Sequence, residues 1–183
     1  MNNALVANPH LSIPALRWRE QSLYLWSTAL VAGNLALPQL CHLLPSGGKM
    51  LLPIYFFTLI GTARFGWRAG VLTALASPLL NHLLFGMPPA GALAPIVVKS
   101  LLIAALTPLV LRHVKLLPLA AAAIVAAYQV PGSVFEWAWT QSATNALQDL
   151  TQGWPGMALQ VLLGWAALTF IARRHDSHGD ETL

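Results

Sequence analysis

Between Gln21 and Ala172 charged residues almost vanish from this chain, and those that remain sit almost entirely at the ends of long apolar blocks. A soluble domain would carry about 25% charged residues, whereas here 9% are charged and 56% hydrophobic. A membrane-spanning helix needs roughly 20 mostly apolar residues. The 183 residues therefore hold about six such helices and little else. The expected fold class is an all-α membrane protein, a six-transmembrane-helix bundle with cytoplasmic N and C termini. Its spans lie near 22–44, 50–66, 69–86, 89–111, 116–139 and 154–172.

The breaks between blocks carry turn chemistry. They are Pro45-Ser46-Gly47-Gly48, Gly66-Trp67-Arg68, Gly86-Met87-Pro88-Pro89, Arg112-His113-Val114-Lys115 and the polar stretch from Thr140 to Gly153. Pro155 is placed to open the sixth helix, where its missing N–H costs nothing. The second block is the shortest and is expected to be tilted, partly 3₁₀, or buried behind its neighbours. Residues 1–20 read as a cytoplasmic N-terminal segment, 21–173 as the six-helix transmembrane domain, and 174–183 as a cytoplasmic tail.

Lysine and arginine placement sets the orientation. Arg17, Arg19, Arg64, Arg68, Arg112, Lys115, Arg173 and Arg174 fall on one side, and Lys49 alone falls on the other. The richer side is expected to be cytoplasmic, which leaves 45–49, 86–89 and 140–153 outside and makes the chain a multi-pass protein of the cell membrane. The basic residues are thus topological, and no nucleic-acid partner is expected. The single Cys41 permits no internal disulfide.

Depth then sorts the polar residues. Ser27, Thr28, Thr62, Thr73, Thr107 and Thr169 lie in the inner halves of the spans, where hydroxyls can bond back to their own helix. The outer halves hold Gln39, His42, Tyr55, Asn81, His82, Gln129, Glu136 and Gln160. Lys99 lies roughly 15 Å below the outer end of the fourth span, at about 1.5 Å per residue. Polar and ionised groups are costly in hydrocarbon and should face the bundle interior or a wet cavity. A capture site open to the outside, lined by Tyr55, Asn81, His82, Lys99, Gln129, Glu136 and Trp137, meets that demand. Lys99 there either meets an acidic group of a ligand or pairs with Glu136, and Asn81 with His82 either lines the site or ties helix ends together. A channel would need polar groups through both halves, which Leu116 to Ala127 does not offer. His42 and His82 lack the spacing of a metal site, so neither metal nor cofactor is expected.

Three stretches carry a resemblance: Leu52-Pro53-Ile54-Tyr55-Phe56-Phe57-Thr58-Leu59-Ile60-Gly61, Phe65-Gly66-Trp67-Arg68-Ala69-Gly70, and Ser77-Pro78-Leu79-Leu80-Asn81-His82-Leu83-Leu84-Phe85-Gly86-Met87-Pro88. Their Leu-Pro helix start, Gly-x-x-x-Gly turn and Gly-Met-Pro loop resemble the substrate-binding (S) subunits of energy-coupling factor importers, which belong to the ABC transporters. The likeness spans about 50–110; many members have a Met-His-Ile-Pro-like stretch where this chain has Ile54-Tyr55-Phe56-Phe57. It implies six helices, an outward site for a vitamin-like small molecule (a corrinoid is one option), and docking on a transmembrane T subunit that works with ATPase subunits. Small residues of the first helix make such a docking face, here Ala29, Ala32, Gly33 and Ala36. The resemblance implies no enzyme activity in the chain itself. The rivals are an intramembrane enzyme of the rhomboid protease kind, for which Ser77-Pro78 lacks a nucleophile's setting, and a membrane scaffold protein.

Overall fold

The computed structural model describes residues 15–41, 43 and 53–179, with only the backbone of 174–179. The expectations placed on His42, on Lys49 and the 45–49 segment, and on the first fourteen residues lie outside these. Apolar blocks with no partner for their backbone other than themselves become helices, because in lipid every N–H and C=O must be satisfied within its own segment. They are α1 (Gln21–Cys41), α2 (Phe56–Phe65), α3 (Trp67–Phe85), α4 (Ala90–His113), α5 (Leu117–Thr140), the short α6 (Ala143–Ala146) and α7 (Gln148–Thr151), and α8 (Trp154–Gly179). A 3₁₀ turn, Pro53–Tyr55, leads into α2. There is no strand among the described residues.

Among the described residues three helices, α4, α5 and the Trp154–Arg173 part of α8, are long and apolar enough to cross a membrane. The other three blocks differ for identifiable reasons. α2 has 10 residues and reaches only about 15 Å, half of a bilayer's hydrocarbon core. α1 and α3 carry Asn34, Gln39, Arg68, Asn81 and His82 within them. The short second block is indeed part 3₁₀ and buried, since α1, α3, α4 and α8 all pack on α2. Around it α1 packs on α3, α3 on α4, α4 on α5, and α5 on α8.

Short connections force neighbouring helices to run back and forth. Gly66 alone separates α2 from α3, at φ 91°, and Gly86 ends α3 at φ 68°. Both values lie in the left-handed region that glycine enters without a Cβ penalty. The N-terminal segment folds onto the first of these turns: Leu16 N–H donates to the Phe65 carbonyl at 3.1 Å, and the Arg68 guanidinium donates to the Leu16 carbonyl at 3.4 Å. Arg68 also lies over the rings of Trp67 and Trp18. Arg64 and Arg68 thus share one end of the bundle with the segment that carries Arg17, as the charge pattern requires.

The apolar core between α2, α4, α5 and α8 contains Leu59, Ile103, Ile124 and Leu168, all essentially inaccessible. Small residues let neighbouring helices approach closely: Gly70 of α3 lies against Ala104 of α4, and Gly164 of α8 against Ala121 of α5. In lipid, such close van der Waals packing replaces the hydrophobic effect as the main source of helix association. The outer surface is apolar too, with Leu25, Leu83, Leu84, Val130, Leu162 and Phe170 all exposed.

Candidate functional site

On α4 the buried residues fall at Pro95, Lys99, Ser100, Ile103, Ala104, Thr107 and Leu111. That is one stripe of a 3.6-residue helix, and it turns Lys99 inward with 2% of its side chain exposed. The facing stripe of α5 is Leu117, Ala120, Ala121, Ile124, Val125, Tyr128, Gln129 and Gly132. Continuing one turn beyond Gly132, it meets Glu136. The Lys99 ammonium donates to Glu136 Oε2 at 2.6 Å and to Asp149 Oδ2 at 2.7 Å. Gln129 Nε2 donates to the same Asp149 oxygen and to Ser133 Oγ, both at 3.2 Å. One cation, two carboxylates and an amide from α4, α5 and α7 therefore share a single site.

Two local features make this geometry attainable. The first is Gly132. A Cβ at that position would collide with Cγ of Lys99 and come within 3.1 Å of its Cε. The glycine is the groove through which the lysine stem passes, and its cost of about 1 kcal/mol relative to alanine in a helix is offset by that passage. The second is the chain after α5. Gln141 breaks the helix at φ 52°, and Ser142 caps α6 by accepting from Asn145 N–H at 3.3 Å. Ala146 then buries itself, and α7 returns Asp149 over the lysine.

The structure joins Lys99, Gln129 and Glu136, three of the residues singled out from sequence, through hydrogen bonds with Asp149; Tyr55 lies within electrostatic reach of Asp149 and Glu136, while Asn81, His82 and Trp137 take no part in that network. Tyr55 is buried against Tyr128, with ring centroids 5.2 Å apart and planes tilted by 49°. The Tyr128 hydroxyl donates to Gln160 Oε1 at 2.7 Å. Trp137 points outward, more than half exposed. His82 donates from Nδ1 to the Pro88 carbonyl at 2.7 Å, so it tethers the loop after α3. Asn81 belongs to a second, neutral cluster. Its Nδ2 donates to the Asn34 carbonyl at 3.3 Å, while Asn34 Nδ2 donates to Ser77 Oγ at 3.1 Å and Thr58 Oγ1 at 3.3 Å. Gln39 Nε2 reaches Asn81 Oδ1 at 3.4 Å. This cluster ties α1, α2 and α3 together.

Asp149, Gly132, Tyr128 and Asn34 were not among the residues sequence reasoning proposed. Glu136 continues an inward stripe and was readable. The only pointer to Asp149 was that it is the single acid of the 140–153 stretch, on the same side as a lysine that must find partners. Of the inner hydroxyls, Thr62, Thr73 and Thr169 donate to the carbonyl four residues back in their own helices. Ser27 and Thr107 are buried without a partner. On α1, Ala29, Ala32 and Ala36 are exposed along one face. Gly33 instead turns inward, where a Cβ would come within 2.8–2.9 Å of the Phe57 ring. It serves packing within the bundle, unlike its three alanine neighbours.

Among the described residues no three His, Cys, Asp or Glu side chains gather where they could hold a metal ion. Comparison with family models, with curated proteins and with solved structures returns no match to this chain.

Proposed function

We propose that this chain is the substrate-capture subunit of an energy-coupling factor type importer for a vitamin or other micronutrient, embedded in the cell membrane by six helices with both termini in the cytoplasm. The observation that carries the reading is the placement of the Lys99–Glu136–Asp149–Gln129 site. It sits at the end of the bundle away from the Arg64–Arg68 turn, with apolar packing beneath it. A bundle that only needed to span would gain nothing from two carboxylates and a lysine in its interior, because such groups are expensive there and mark binding or transport paths. A partly accessible charged site with apolar packing below it supports capture better than conduction. The exposed Ala29-Ala32-Ala36 face of α1 supports the second half of the reading, since small residues let a partner helix approach closely. A transmembrane T subunit, with its ATPase subunits, fits there. An intramembrane hydrolase has less in its favour, because Ser77 is fully buried and its hydroxyl accepts from the Asn34 amide.

Native mass spectrometry of the chain extracted gently from its own membrane tests the proposal. A membrane subunit and ATPase subunits are expected to copurify, and Ala32→Trp should release them while leaving the thermal stability of the isolated chain within about 0.5 kcal/mol, as for a surface substitution. A chain that carries neither partner subunits nor a small molecule would overturn the reading. Partners that stay bound to Ala32→Trp would move the docking face off α1.

A further inference from the structure

We propose that the Lys99 site recognises an organic cation with N–H donors, such as a protonated amine; this rests on the capture reading above and names the ligand class of that same site. The lysine taken alone suggests the opposite, an acidic ligand group. Its surroundings reverse the sign. Lys99 is already held by two carboxylates of the chain, so the three side chains carry one formal negative charge in excess.

Access points the same way. The lysine is 2% exposed, whereas Glu136 and Asp149 are 15% and 16% exposed. A molecule entering the site therefore meets the carboxylates first and the ammonium last. Hydrogen-bonding capacity agrees with the charge. Gln129 is 2% exposed and spends both amide hydrogens on Ser133 and Asp149, yet its Oε1 is buried with no donor. The second oxygens of Glu136 and Asp149 take no hydrogen bond from the described residues. An ammonium has three N–H groups, so Lys99 has at most one left for these acceptors. Leaving a buried acceptor without a donor is costly. A ligand that brings a positive charge and several N–H groups relieves the excess charge and the missing donors together. A carboxylate or phosphate ligand would worsen both.

The test compares the full chain with Asp149→Asn and Glu136→Gln in detergent. Each variant removes a negative charge and keeps an acceptor for Lys99. Small molecules retained through purification are identified after denaturation. Benzylammonium, benzyl alcohol and benzoate, of similar size and different charge, are then titrated while the melting temperature is followed. The expected result is a retained amine in the unmodified chain, stabilisation by benzylammonium and not by benzoate, and at least tenfold weaker benzylammonium binding in both variants. Stabilisation by benzoate, or a retained anion or neutral molecule whose binding neither variant changes, would overturn the cation while leaving capture standing. Variants that melt earlier but bind benzylammonium as the unmodified chain does would show a purely structural triad. No retained molecule and no response to any probe would overturn the cation and the capture reading together.

Discussion

Two polar clusters lie inside this bundle, and they solve the same problem in different ways. The Asn34–Thr58–Ser77–Asn81 cluster joins α1, α2 and α3 with neutral amides and hydroxyls. The Lys99–Glu136–Asp149–Gln129 cluster joins α4, α5 and α7 with full charges. In the first, the groups are short, nearly inaccessible and bonded mostly to one another. The arrangement is that of a clasp. In the second, a long lysine stem carries its charge away from its own backbone to two acids that are partly accessible; each cluster leaves one buried amide oxygen without a donor, Asn34 Oδ1 in the first and Gln129 Oε1 in the second. Neutral hydrogen bonds between helices in a membrane are worth little, about 0.6 kcal/mol on average. A charged cluster is costly unless fully paired. A bundle that needed only a clasp had the cheaper solution available, and used it between α1, α2 and α3.

The sharpest way to break this contrast is at Lys99. Replacement by Met leaves Glu136 and Asp149 facing each other without their cation, and loss of one partner of a buried ion pair costs about 3–5 kcal/mol. Unfolding in mixed micelles should show that loss, and adding Glu136→Gln and Asp149→Asn to Lys99→Met should restore most of it. A Lys99→Met chain as stable as the original would mean that the two ion pairs add nothing to the fold.

A smaller effect is expected from Gly132→Ala. Alanine favours the helix by about 1 kcal/mol, but its methyl group occupies the lysine's path. Overpacking of this kind costs about 1–3 kcal/mol, so a net loss of stability is expected. That loss should disappear when Gly132→Ala is made in a Lys99→Ala background, where the stem is absent. Equal effects in both backgrounds would separate the glycine from the lysine.

The smallest effect belongs to the neutral cluster. Asn34→Leu removes the amide that reaches Thr58 and Ser77 but keeps the backbone carbonyl that Asn81 uses. A cost of about 1 kcal/mol is expected for the two bonds lost, at about 0.6 kcal/mol each. Ligand retention should not change. A loss as large as that of Lys99→Met would erase the distinction between clasp and site.

Much of the architecture was written in local pattern. Apolar block lengths determined where helices form, glycine and proline marked the breaks, and basic residues gathered at alternate ends, because each of these depends on neighbours close in sequence. The half-length α2 could be anticipated, since only a short apolar run separates Lys49 from Arg64. The inward turn of Lys99 and Glu136 also followed from helical periodicity and the cost of charge in lipid. What the tertiary structure alone decided was which polar groups meet. Asp149 reaches Lys99 across 50 residues of chain, Asn34 reaches Ser77 across 43, and His82 closes on its own loop. Small-residue spacing put Gly33 with Ala29, Ala32 and Ala36, and only the packing of Phe57 separated it from them. A helix pattern states which face a residue occupies, but not what the neighbouring helix places opposite it. For this reason the sequence determined that a lysine lies buried here, while the fold determined that its charge is already outnumbered.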